Sequence, residues 1–103
     1  MNLLSLNDDN FNKSVQSGVS IVDFWAIWCG PCRLMTPVVE DIAKEMTDIN
    51  VYKLNVDDHP ELTAKFNIMS IPTVIIFKDG VEVDQTVGVV SKSVLVKKIK
   101  NYI

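Results

Sequence analysis

Hydrophobic positions along the chain change their spacing several times, which is typical of a domain that mixes strands and helices. Residues 19–26 (VSIVDFWA) are apolar almost throughout and rich in β-branched and aromatic side chains, which indicates a strand buried on both faces. Residues 51–56, 73–77 and 81–87 predict three further strands, and residues 1–6 are compatible with a short edge strand. An Asp-Gly pair in the turn before residue 81 favours an antiparallel hairpin.

Helical spacing is found in the segments between these strands. Phe11 and Val15 share one face of a short first helix. The second helix has Pro31 in its first turn, and we expect Pro37 to kink it because proline removes one backbone hydrogen bond. Four side chains of this helix recur at helical spacing: Leu34, Val38, Ile42 and Met46.

Two more helices complete the predicted fold. Asp57-Asp58 is interpreted as the start of a short helix capped by Asp58 rather than as a cation site, and Ser91 or Ser93 opens the last helix. The buried stripe of the last helix is expected to be Val94, Leu95, Ile99 and Tyr102. These elements predict an α/β fold, a central mixed β-sheet with helices on both faces, formed by residues 1–103 as a single domain.

Composition and charge exclude several classes of function. The chain has 103 residues, of which 48% are hydrophobic, so it can build a core without a metal or a disulfide. Its net charge of −3 provides no basic field for nucleic acid. No apolar run approaches the roughly 20 residues that a membrane span needs. The first eight residues lack a basic region and become acidic, which argues against a secretory signal and for a cytoplasmic protein.

Two cysteines flank a two-residue spacer, Cys29-Gly30-Pro31-Cys32, at the expected turn from a strand into a helix. Cys29 is expected at the exposed end of this turn and Cys32 deeper, in the first turn of the helix. A helix N-terminus offers free amide donors and partial positive charge, which favour thiolate over thiol. Zinc needs four ligands, whereas the chain has no third cysteine and only one histidine, His59, and iron–sulfur ligation fails for the same reason. A bridge over so short a loop would restrict the unfolded chain little. The pattern therefore favours redox chemistry over metal binding or a structural disulfide.

Asp23 is a charged residue in the middle of a strand that is expected to be buried. Desolvation raises the pKa of such a carboxyl group, which suits it to proton transfer near neutral pH. A structural ion pair with Lys53, on the adjacent predicted strand, is the alternative and is compatible with the catalytic role. Trp25 is interpreted as a packing residue.

Residues 22–33 (VDFWAIWCGPCR) resemble the active-site segment of the thioredoxin family. Four further segments match that family in order and spacing: residues 53–57 (KLNVD), 70–73 (SIPT), 77–80 (FKDG) and 87–88 (VG). Together they cover essentially the whole chain, and five spaced matches are far more specific than a lone pair of cysteines.

The resemblance implies a thioredoxin fold and assigns a role to each catalytic side chain. Cys29 would attack a disulfide in a target protein, and Cys32 would resolve the mixed disulfide that results. Asp23 would deprotonate Cys32 through water, and Lys53 would lie beside Asp23. The proline that matches Pro72 is cis in the family and faces the cysteines, although X–Pro bonds are usually trans.

The implied substrate-binding surface is flat, apolar and uncharged. It consists of Trp28, Gly30, Pro31, Ile71, Pro72, Val87 and Gly88. The backbone of Ile71 would pair with an extended substrate as an added strand. Ile27 and the pair Met69-Ser70 occupy positions that vary in the family, so they bear on the choice of partner.

The implied function is that of a protein-disulfide reductase. The protein would be re-reduced by a thioredoxin reductase, act on disulfide-containing target proteins as a monomer, and carry no metal or other cofactor because the dithiol itself holds the two electrons. One alternative is a disulfide isomerase or oxidase of the same fold, although these commonly have a histidine between the cysteines. The other is a binding module that acts independently of its redox state.

Overall fold

The computed structural model describes residues 3–103, which form a five-stranded β-sheet and four α-helices. The strands are β1 (Leu4–Ser5), β2 (Val19–Trp25), β3 (Asn50–Asn55), β4 (Thr73–Lys78) and β5 (Val81–Val87). The helices are α1 (Phe11–Val15), α2 (Gly30–Glu45), α3 (Pro60–Lys65) and α4 (Lys92–Lys100). Of the predicted edge strand, Met1 and Asn2 lie outside the described residues, and the remainder contributes β1.

The sheet is mixed, as the sequence predicts, with the strand order β1-β3-β2-β4-β5. β3 runs parallel to β1 and to β2, whereas β4 pairs antiparallel with both β2 and β5. The predicted antiparallel β4–β5 hairpin is therefore confirmed, and β2, α2 and β3 form a parallel β–α–β unit. In this register Asp23 lies opposite Lys53 on one side and Val74 on the other, at the centre of the sheet.

Alternating side chains of β2 and β4 divide the core into two clusters, one on each face of the sheet. Ile21 and Ile76 point toward α2 and α4, where they pack against Met35 and Leu95. The next residue along each strand points the other way, into a cluster with α1 and Phe66 that includes Phe11, Val22, Phe24, Ile75 and Phe77. Helices thus cover both faces, which confirms the predicted fold class.

The buried stripe of α2 differs from the predicted one. The buried residues are Cys32, Met35, Val39 and Ile42, whereas the side chain of Leu34 is 66% exposed. Steps of four residues advance by about 40° around a helix with 3.6 residues per turn, so the predicted set drifts off the buried face. Spacings that alternate between three and four stay on it. Val94 of α4 is likewise exposed, which corrects its predicted place in the core.

The N-cap of α4 agrees with the prediction from the sequence, whereas the N-cap of α3 differs from it. Ser91 caps α4, and its hydroxyl accepts a hydrogen bond from the Val94 N–H at 3.3 Å. At α3 the capping residue is His59 rather than Asp58, and no side chain completes the cap. Pro37 lies within the continuous α2. Within residues 3–103, no helix is both long enough and apolar enough to cross a membrane.

Candidate functional site

The cysteine pair lies where β2 passes into α2. Cys29 is the N-cap of α2, and its Sγ accepts a hydrogen bond from the Cys32 N–H at 3.2 Å. The two residues are joined by a disulfide, with Cα atoms 5.4 Å apart. This places the reactive sulfur at the positive end of the helix dipole, as the sequence predicts.

Both cysteines are buried, with exposed fractions of 4% for Cys29 and 2% for Cys32. The expectation that Cys29 lies at the exposed end of the turn is therefore wrong for the disulfide-bonded state. The reason is packing: Trp25, Val56 and Ile71 lie against a small cluster formed by Ala26 and the two cysteines.

The loop before β4 brings a second part of the chain to the cysteines. The Ile71–Pro72 peptide bond is cis, as the resemblance implies, and the Cys29 Sγ lies 3.8 Å from the Ile71 carbonyl oxygen. The Gly88 N–H donates a hydrogen bond to the Pro72 carbonyl at 2.8 Å, which ties the end of β5 to this loop. Ile71, Pro72, Val87 and Gly88 are thus brought to the cysteine end of the sheet.

Trp28 is the exposed aromatic side chain of this region, and Gly30 and Pro31 beside it are exposed as well. The Trp28 Nε1–H donates a hydrogen bond to Asp57 Oδ2 at 2.8 Å. The sequence does not predict this contact, since its pattern indicates a helix start at Asp57-Asp58 and says nothing of where the Asp57 side chain points. A carboxylate therefore lies at the border of a surface that was expected to be uncharged.

Asp23 is buried on the face of the sheet that α2 covers. Burial raises the pKa of its carboxyl group to about 7, and the positive charge of Lys53 partly opposes this shift. Lys53 makes no salt bridge with Asp23; its Nζ lies 5.8 Å from the centre of the Trp25 ring instead. The predicted ion pair is therefore reduced to a longer-range attraction across adjacent strands.

A cavity of about 210 Å³ connects Asp23 with the first turns of α2. Four residues with polar side chains line it: Asp23, Trp25, Thr36 and Lys53. Asp23 Oδ1 and Trp25 Nε1 are buried and have no hydrogen-bond partner within residues 3–103. The Thr36 hydroxyl donates a hydrogen bond to the Cys32 carbonyl at 3.0 Å. The cavity is roomy and polar enough to hold water beside the Asp23 carboxyl group, and Thr36 lies one helical turn beyond Cys32.

His59 lies away from this cavity, with its Nδ1 3.7 Å from Asp8 Oδ2. Among residues 3–103, no three histidine, cysteine, aspartate or glutamate side chains come together as a potential metal site. The chemistry that the described geometry offers is thus centred on the cysteine pair.

Comparison with known proteins decides the family. The thioredoxin family profile matches residues 2–101 of the chain. The chain belongs to the thioredoxin family. It is 46% identical to the thioredoxin of Staphylococcus saprophyticus over 104 aligned positions that cover 100% of both chains. It is 43% identical to the thioredoxin of Chlamydia caviae, with 91% of this chain and 92% of the relative covered.

A solved structure supports the same conclusion. A mutant thioredoxin from Halobacterium salinarum superposes with a TM-score of 0.90 at 33% identity, covering 97% of this chain and 88% of the other. The thioredoxin fold expected from the sequence is confirmed. Family membership and the disulfide between Cys29 and Cys32 support protein-disulfide reductase activity. They do not favour an isomerase, an oxidase or a binding module independent of redox state.

Proposed function

We propose that the protein reduces target disulfides in two exchange steps and is itself left as the disulfide described above. In the first step the Cys29 thiolate attacks one sulfur of the target disulfide, and the other target sulfur leaves as a thiolate. In the second step the Cys32 thiolate attacks Cys29 Sγ and expels the target's remaining sulfur. Two electrons pass to the target, whose two sulfurs each take up a proton.

The first step is assigned to Cys29 because of its position at the end of α2. Its sulfur already accepts a hydrogen bond from the Cys32 N–H, and the helix dipole favours negative charge there. Cys32, in the first turn of the helix, is assigned the resolving role. This local geometry is the observation that carries the proposal.

Asp23 is proposed to accept the proton of Cys32 in the second step. Its raised pKa, to about 7, lets it exchange a proton near neutral pH. The cavity lined by Asp23 is also lined by Thr36, whose hydroxyl donates a hydrogen bond to the Cys32 carbonyl, and this supports proton transfer through water between the two groups. Lys53 acts on this step through its charge, which favours the ionised carboxylate.

The target is proposed to dock on the surface around the cysteines. This surface comprises Trp28, Gly30, Pro31, Ile71, Pro72, Val87 and Gly88. The backbone of Ile71, next to Cys29 Sγ, is placed to pair with an extended target segment. A thioredoxin reductase is the proposed electron donor. A monomer in the cytoplasm is the proposed working form, consistent with the bacterial thioredoxins that the chain resembles.

The deciding experiment is a redox titration of the purified protein against glutathione buffers, followed by coupled insulin reduction. We expect a reduction potential at or below the cytosolic glutathione poise of about −220 to −260 mV, together with insulin reduction that Cys29→Ser abolishes. A markedly more oxidising potential would instead indicate an isomerase or oxidase. Failure of the pair to titrate would contradict the redox role altogether.

A further inference from the structure

Met69 is the most exposed large hydrophobic residue that the structure describes, with an exposed fraction of 93%. It lies in the loop between α3 and β4, two residues before Ile71, whose carbonyl oxygen is 3.8 Å from Cys29 Sγ. Together with Trp28 it lines a pocket of about 450 Å³ at the cysteine end of the sheet. A thioether group is therefore open to solvent beside the cysteine pair.

The other sulfur atoms of residues 3–103 are much less accessible. Met35 is fully buried in the core on the α2 face, and Met46 is partly buried against the same cluster. Cys29 and Cys32 are almost completely buried and are bonded to each other. Since an oxidant must reach the sulfur that it oxidises, Met69 is the thioether in this part of the chain that a water-borne peroxide meets first.

Oxidation would change the polarity of this side chain. Hydrogen peroxide transfers one oxygen atom to a thioether: a sulfur–oxygen bond forms, the O–O bond breaks, and the two electrons that sulfur loses reduce peroxide to water. The product is a polar sulfoxide. Because Met69 is exposed, the sulfoxide oxygen stays hydrated in the free protein, so the fold should tolerate the change.

A target that covers this region would remove that hydration. Among the described residues that line the pocket there is no lysine or arginine to donate a charged hydrogen bond. The Trp28 indole and the Thr63 hydroxyl already donate hydrogen bonds to other groups, which leaves the Ser70 hydroxyl as the remaining side-chain donor of the lining. One hydroxyl does not replace the water that a sulfoxide oxygen loses, so the modification disfavours docking rather than folding.

The cysteine pair protects Met69 as long as the pair is reduced. A thiolate is a stronger nucleophile than a neutral thioether, and the N-terminus of α2 favours thiolate at Cys29. Peroxide would therefore oxidise Cys29 to a sulfenic acid, and the Cys32 sulfur would displace its oxygen as water and close the disulfide. One peroxide is consumed in this way, so oxidation of Met69 should follow only in the disulfide form.

We propose that Met69 is a reversible oxidation site, modified by peroxide in the disulfide form of the protein, and that its sulfoxide slows the first exchange step with protein targets. The modification would lower reductase activity when peroxide exceeds the supply of electrons, and a methionine sulfoxide reductase would reverse it. The proposal rests on the proposed function, because its consequence is measured as reduction of a target.

The first experiment locates the oxidation. The disulfide-bonded protein is treated with hydrogen peroxide, and peptide mass mapping follows the gain of one oxygen atom at each methionine. Met69 should be oxidised roughly tenfold faster than Met35 or Met46, and unfolding in urea should remove this difference. Reduced protein given one equivalent of peroxide should form the disulfide and no sulfoxide. Equal rates at the three methionines of the folded protein, or sulfoxide formed before the disulfide, would overturn the proposal.

The second experiment measures the consequence. After peroxide is removed, dithiothreitol reduces the cysteine pair and leaves the sulfoxide in place. The rate constant with insulin disulfides should be roughly fivefold lower than for the unmodified protein, and a methionine sulfoxide reductase should restore it. The rate with dithiobis(nitrobenzoate), a small disulfide that brings no polypeptide over the pocket, should change little. An unchanged insulin rate with Met69 fully oxidised, or equal slowing with both disulfides, would overturn the proposal.

Met69→Leu is the matched control because leucine is similar in volume and polarity but has no sulfur to oxidise. Its rate with insulin should be the same before and after peroxide treatment, and a loss equal to that of the wild type would place the damage elsewhere and overturn the proposal. The outcomes also distinguish this inference from the proposed function. Unmodified protein that reduces no insulin would contradict the proposed function, whereas the peptide map tests the oxidation site without any turnover.

Discussion

The two sides of the cysteine pair differ in chemistry, since one is bordered by exposed apolar side chains and the other by buried charged groups. On the outer side, exposed apolar side chains such as Trp28 and Met69 line a pocket of about 450 Å³ beside the disulfide. On the inner side, the buried carboxyl group of Asp23 and the ammonium group of Lys53 share a smaller cavity behind the cysteines. The two linings have no residue in common.

This difference supports the proposal that target recognition and proton transfer are handled on separate sides of the same two sulfur atoms. A target docked as proposed would cover the outer side, while the inner cavity borders α2 and the sheet. The separation has a thermodynamic counterpart, because a buried carboxyl group destabilises the fold when it ionises, whereas an exposed apolar rim has little effect on folding.

The largest expected effect comes from substituting each cysteine in turn, which separates the first exchange step from the second. Cys32→Ser should retain the first attack and lose turnover, because serine cannot form the second disulfide. One equivalent of target should therefore accumulate as a mixed disulfide that mass spectrometry detects. Cys29→Ser is the matched control and should form no adduct. An adduct on Cys32 in that control would contradict the assigned order of attack.

The buried carboxyl group of Asp23 on the inner side should also affect the free energy of unfolding. The unfolded chain releases the Asp23 proton near pH 3.8, whereas the folded protein retains it to about pH 7, so ionisation favours unfolding as the pH rises through this interval. Asp23→Asn removes this destabilisation. Its advantage in the free energy of unfolding should grow from pH 4 to pH 8 by up to about 4 kcal/mol.

Denaturant titrations of the oxidised protein at both pH values measure this change. Asp48→Asn, at an exposed position in the turn before β3, is the matched control and should show no comparable growth. A constant difference between Asp23→Asn and the wild type would mean that Asp23 is not desolvated in solution.

A smaller effect is expected from Lys53, which acts on the same cavity by charge alone. Lys53→Gln removes the attraction that opposes desolvation, so the pKa of Asp23 should rise further. Decay of the mixed disulfide should then require a higher pH than in the wild type. Lys53→Arg retains the charge and should leave the profile close to its original position; equal shifts in both variants would point to lost packing on Trp25 instead.

The smallest predicted effect concerns the fixed part of the outer pocket. Asp57→Ala removes the hydrogen bond to the Trp28 indole, and the specificity constant kcat/KM for insulin should fall by about threefold. Asp58→Ala, at the neighbouring exposed position, serves as the control. A fall of the same size in both variants would indicate a general charge effect rather than positioning of Trp28.

The sequence predicted the strands and helices because their spacing is a local property of the chain. It also predicted the raised pKa of Asp23, since a carboxyl group in a two-face-buried strand must lose solvent. The contact of Trp28 with Asp57, 29 residues away, was not predictable from spacing. The position of Lys53 over Trp25 and the place of Thr36 in the inner cavity depend likewise on side-chain directions that periodicity does not encode.

The cis bond before Pro72 and the roles of the two cysteines came from the family resemblance rather than from the residues alone. Reasoning from the residues favoured redox chemistry at Cys29 and Cys32 by excluding metal sites. It placed Cys29 too far out, because the side chains that cover it come from β2, the residue that follows β3 and the loop before β4.

The central claim is that target recognition and proton transfer lie on separate sides of the cysteine pair. Rapid-mixing kinetics of mixed-disulfide formation and decay test it most directly, with the wild type, Asp23→Asn and Met69→Glu compared. With a disulfide-containing target, Asp23→Asn should leave formation unchanged and slow decay by about 100-fold near pH 7, a range typical for loss of a general base. Met69→Glu should slow formation and leave decay unchanged. Slowing of both steps to the same extent by Asp23→Asn would contradict the division of labour between the two sides.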